Sequence, residues 1–135
     1  MRLETEEGPA IDDPTGEQLR EALAGLGGAS GAFAILTRAD EPLALIQTHG
    51  EAGQFAVEYH ENATHYLAEN RALPLETAAA MFQAYNRGDP TWREMATWKD
   101  ITAELANSGS SWVKVLILAV AAVLVAVILY VSFTH

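Results

Sequence analysis

Hydrophobic and polar positions change period several times along this chain, and each change marks an element. Residues 1–14 carry Glu4, Glu6, Glu7, Asp12 and Asp13 with Pro9 and Pro14, and few apolar positions. That composition predicts an acidic arm that is disordered in isolation. From Thr15 the period is helical. Leu19, Leu23 and Leu26 fall at i, i+4 and i+7, Thr15 is placed to cap, and Glu17 and Gln18 occupy the first turn. Gly25, Gly27 and Gly28 close that helix. Four strand-like runs follow. Phe33–Arg38 and Leu43–Thr48 flank a turn at Ala39-Asp40-Glu41-Pro42, and Gly50-Glu51-Ala52-Gly53 makes the next. Gln54–His60 alternates with Phe55, Val57 and Tyr59 on one face, and Glu61-Asn62-Ala63-Thr64 turns it into His65–Asn70. A turn of that length sets Tyr59 opposite Tyr66 and His60 opposite His65. A second helix starts at Leu73-Pro74-Leu75-Glu76, with Ala78, Met81, Phe82 and Tyr85 as its apolar stripe and Gly88 and Pro90 as its stop. A short helical piece over Thr91–Leu105 carries Trp92, Met95, Trp98, Ile101 and Leu105. The order predicts an α+β domain over 15–106, a four-stranded antiparallel meander with flanking helices.

Beyond a polar hinge at 107–111 the alternation stops altogether. Trp112 to Phe133 reads WVKVLILAVAAVLVAVILYVSF, with Lys114 its single charge. The uncharged part is long enough, at ~1.5 Å per helical residue, to cross a hydrocarbon core of ~30 Å. It predicts one transmembrane helix over 112–133 and a tail-anchored, single-pass protein. Trp112 and Tyr130 stand about 27 Å apart on such a helix, the spacing of an aromatic belt, and Lys114 can reach the headgroups beside Trp112. Arg93, Lys99 and Lys114 precede the run and nothing basic follows it. The positive-inside rule then sets the N-terminal domain in the cytoplasm, at a bacterial inner membrane. Ala119, Ala122 and Ala126 share one face of the helix, where small residues let another transmembrane helix approach. The expected partners in the bilayer are therefore integral membrane protein subunits.

Composition narrows what the remaining residues can do. Without the hydrophobic run, about 110 residues suffice for one small domain. The chain has no cysteine, which excludes disulfides, thiolate metal sites and cysteine nucleophiles. A net charge of −10 argues against nucleic acid and for basic protein surfaces as partners.

Candidate chemistry is sparse. Gly25-Leu26-Gly27-Gly28 ends a helix where a phosphate loop would begin one, and no nucleophile elbow is present. His60 and His65, with Glu58 and Glu61 near, are the best metal-ligating residues. Two ligands with no third fixed by spacing do not make a site, so the pair reads as solvent-facing at a hairpin tip. No metal, other cofactor or catalytic residue is expected. Trp92 and Trp98, just before the hinge, are candidates for docking a partner.

The stretch Phe55-Ala56-Val57-Glu58-Tyr59, then Glu76 to Tyr85, then Arg87-Gly88-Asp89 with Trp92 and Trp98, resembles the first-numbered family of bacterial polymorphic-toxin immunity proteins. The resemblance covers about a third of the chain. It implies a small binding module, which agrees with the absence of a catalytic signature. The anchor and the acidic domain lead to the expected function: a non-enzymatic accessory subunit of an inner-membrane complex of photosynthetic or respiratory type, packing through its transmembrane helix. The alternative is a membrane-tethered immunity protein that binds and inhibits a toxin.

Overall fold

Thr15 sets the geometry of the first helix. Its hydroxyl accepts from the Gln18 backbone N–H, and the Gln18 side chain accepts in turn from the Thr15 N–H. This reciprocal cap satisfies two of the donors that a helix start leaves open. The computed structural model describes residues 1–6, 8–26, 32–41 and 43–106. In chain order the strands are β1 (Arg2–Thr5), β2 (Ile11–Asp12), β3 (Phe33–Thr37), β4 (Leu45–Glu51), β5 (Gln54–Glu61), β6 (Thr64–Ala68), β7 (Leu73–Pro74) and β8 (Trp98–Asp100). The helices are α1 (Gly16–Gly25), α2 (Leu75–Asn86) and α3 (Thr102–Ala106), with a 3₁₀ turn at Pro90–Met95. Met1–Ile101 forms one compact unit, and Thr102–His135 a second whose described part is α3.

The sheet of the first unit runs β2-β1-β3-β4-β5-β6-β8, with β7 beside β5, and every pairing is antiparallel. The α+β class and the central β3–β6 meander are as the hydrophobic pattern predicts. Apart from the two-residue β7, which pairs with β5 just before α2, the sheet exceeds four strands for two reasons. The acidic arm is paired rather than disordered: Leu3 lies opposite Leu36, and four residues of β1 match β3. The segment after α2 is not one helical piece. Asp89 caps the 3₁₀ turn by accepting from the Thr91 N–H, and Ala96 is extended. The chain then joins the sheet edge as β8.

Both longer helices bury their stripes against one face. Leu19 and Leu23 of α1 and Ala78, Met81 and Phe82 of α2 pack with Leu3, Leu36, Ile46, Phe55 and Val57. Polar ties fix α2 against the start of α1: Gln83 Nε2 donates to Gly16 O at 2.9 Å and Asn86 Nδ2 to Pro14 O at 2.8 Å. Arg20 of α1 also pairs with Glu76 of α2. The period of two then sends Gln47, Glu58, His60, His65 and Leu67 to the opposite face. Among the described residues no helix is long and apolar enough to cross a membrane. The predicted span 112–133, with Ala119, Ala122, Ala126, Trp112, Lys114 and Tyr130, lies outside the described residues, as does the hinge.

The β5–β6 turn is tight. Glu61 pairs with Thr64, so only Asn62 and Ala63 connect the strands, with φ of 51° and 66°. Alanine in the left-handed region carries a Cβ clash that glycine lacks. Ala63→Gly should therefore raise stability by about 1 kcal/mol, read from the urea midpoint, since Asn-Gly suits such a turn.

Candidate functional site

The register of the meander brings four polar side chains together. Gln47 lies opposite Glu58 across β4–β5, and His60 lies opposite His65 across β5–β6. Glu58 and His60 are two apart on one strand and share a face. Glu58 is 2 % exposed, Gln47 1 % and His60 7 %, while the His65 side chain keeps 29 % of its surface. The histidine pair is thus largely inside the protein rather than solvent-facing. His60 Nε2 stands 2.6 Å from Glu58 Oε1 and 3.0 Å from His65 Nδ1, and His65 Nδ1 is 3.6 Å from the same carboxylate oxygen. Gln47 Nε2 donates to the other oxygen, Glu58 Oε2, at 3.1 Å.

Burial alone would push the Glu58 carboxyl up. The hydrogen bonds with His60 and Gln47, and the nearby His65 imidazole, outweigh it and hold the group below its usual range. Glu58 is therefore a carboxylate at neutral pH. Chemically the arrangement is a buried anion with two imidazoles on it, and the three ligating atoms lie within 4.8 Å of one another.

A second cluster sits on the helical face. Tyr59 stacks on Tyr66 at 4.6 Å between ring centroids, and Trp92 and Trp98 meet it edge-on at 4.7 and 4.8 Å. Tyr85 meets Trp92 at 5.4 Å. The Arg93 guanidinium lies 5.0 Å from the Trp92 ring and binds Glu61 at 2.6 Å. Trp98 Nε1 donates to Arg93 O at 2.9 Å, closing the 3₁₀ turn onto β8. A cavity of about 310 Å³ opens beside the cluster, between Arg38, Tyr59, Glu61, Tyr85, Trp92 and Arg93.

The two docking candidates thus differ in exposure. Trp92 is a core residue, 5 % exposed and occupied by ring contacts, so it offers no docking surface. Trp98 is half-buried. Gln47 went unread as a site residue, although the tight turn after Glu51 pairs it with Glu58 by counting back. Glu61, named near the histidines, pairs instead with Arg93.

Tyr85 yields a pH prediction. Burial pushes its hydroxyl from 10.0 up to about 12. The unfolded chain then loses this proton first, so the stabilisation is complete below about pH 10 and is lost as pH rises toward about 12. Urea midpoints between about pH 9 and about pH 11 should fall, and Tyr85→Phe should make that fall shallower.

Comparison with protein-family models, curated proteins and solved structures finds no match.

Proposed function

We propose that the chain is a non-enzymatic, membrane-tethered protein-binding module of the immunity type, which holds a basic toxin domain at the bacterial inner membrane. One observation carries the reading. The short sequence stretches that resemble the first-numbered immunity family fall on separate elements within residues 55–98, and they pack as one unit. Tyr59 from β5, Tyr85 from α2, and Trp92 and Trp98 from the following segment are in ring contact. Gly88 adopts φ of +72° between α2 and the 3₁₀ turn, the backbone step that the Gly-Asp pair supplies. A net charge of −10 supports a basic partner, steered by long-range attraction. The apolar run 115–133 supports the tether.

The stripe Ala119, Ala122 and Ala126 favours the second reading, a single-pass accessory subunit of a photosynthetic or respiratory complex. Growth assays and variants separate the two. Under the immunity reading, a toxin gene lies beside the gene for this chain, co-expression rescues cells from that toxin, and Ala122→Leu with Ala126→Leu leaves rescue intact. The accessory reading predicts no rescue. It predicts that the double variant leaves its complex during detergent purification while its membrane level stays normal. A reporter that works only in the cytoplasm, fused at Met1, should be active in both; a periplasmic signal would overturn the orientation.

A further inference from the structure

The Glu58–His60–His65 cluster has a proton problem. His60 Nε2 faces Glu58 Oε1 at 2.6 Å and His65 Nδ1 at 3.0 Å. A neutral His60 can place one proton on Nε2, and that proton can serve Glu58 or His65 but not both. If His65 Nδ1 carries the proton instead, bare Nε2 stands against a carboxylate oxygen. A proton bridges two of these atoms, whereas one cation can accept lone pairs from all three.

We propose that Glu58 Oε1, His60 Nε2 and His65 Nδ1 bind a divalent zinc-class metal ion, a site independent of the immunity reading. Ligands at ~2.0–2.1 Å around a tetrahedral ion lie about 3.3 Å from one another. The three separations here are 2.6, 3.0 and 3.6 Å, so small side-chain rotations complete the set. The donors are two imidazoles and one carboxylate. That set selects zinc and its neighbours over magnesium and calcium, which take oxygen ligands.

Two further features fit an ion. Gln47 holds the non-ligating oxygen of Glu58 at 3.1 Å, the outer contact that orients a ligating carboxylate. The other end of that amide, Gln47 Oε1, is buried and meets no donor among the described residues. Three protein ligands leave a fourth position for water, and a metal-bound water is a donor for such an acceptor. His65, at 29 % exposure, provides the way in.

The test uses the full chain in mild detergent, stripped with a chelator and carrying no histidine tag. Zinc is titrated in competition with a chromogenic chelator, and cobalt(II) reports geometry through its visible absorption. The expected result is one ion per chain, a tetrahedral cobalt spectrum, and no displacement by excess magnesium. His65→Gln changes a half-exposed residue, so the fold should persist by near-ultraviolet circular dichroism while zinc affinity falls at least ~100-fold. Gln47→Met should weaken zinc about 10–100-fold by freeing the carboxylate. No saturable uptake by a folded chain, displacement by magnesium, or unchanged affinity in folded His65→Gln would each overturn the site.

Discussion

Placing an aspartate at Leu3 is expected to unfold the domain at room temperature. Leu3 is 1 % exposed and packs with the core beneath α1 and α2, opposite Leu36 of β3. Leu3→Asp removes about 1.5–3 kcal/mol of apolar burial. It also leaves an unpaired carboxylate in the core, which costs several kcal/mol more even after the group takes up a proton. Together these approach the ~5–15 kcal/mol that holds a small domain folded. Glu4→Gln is the control. Among the described residues the Glu4 carboxylate pairs with the exposed Arg2, so its loss should stay within about 1 kcal/mol. Urea unfolding of both variants decides the matter. A Leu3→Asp chain as stable as the parent would mean that residues 1–12 are not part of the sheet.

This arm shows where the sequence is hard to read. Its inward positions, Leu3 and Ile11, are isolated among charges, and no alternating run is long enough to register as a strand. β1 is held by the one buried side chain of Leu3 and by backbone pairing to β3, which carries no residue code. The meander is legible because its strands are longer apolar or alternating runs and tight turns fix their register. The Tyr59–Tyr66 and His60–His65 pairs follow from counting back from Asn62-Ala63. β8 is hidden in the sequence because Trp92, Met95, Trp98 and Ile101 fall at helical spacing; Pro90 and the Asp89 cap confine that geometry to one 3₁₀ stretch. The polar cluster was half legible. Spacing gave both histidines, but their burial depends on neighbouring strands that a single hairpin cannot report.

Trp92→Ala is expected to cost about 3–5 kcal/mol, the range for emptying a large aromatic site in a core. Trp92 is in ring contact with Tyr59, Tyr85 and Trp98, and its face receives the Arg93 guanidinium. The loss joins a cavity to the opening already present beside Tyr59 and Tyr85. Trp92→Phe keeps an aromatic ring and should cost less than half as much. Near-ultraviolet circular dichroism during urea unfolding reads both. If Trp92→Ala were as stable as the parent, the aromatic unit would not organise the junction between α2, the 3₁₀ turn and β8.

The proposed acidic binding module on a membrane tether is put to the test by purifying the full chain from its native membranes in mild detergent. The measurement is the mass and identity of what co-elutes at low salt and at about 1 M salt, where charges are screened beyond ~3 Å. The expected result is a chain in the membrane fraction with one basic protein bound at a one-to-one ratio, the association weakened at high salt. A chain recovered from the soluble fraction, or one that leaves the membrane alone at low salt, would contradict it.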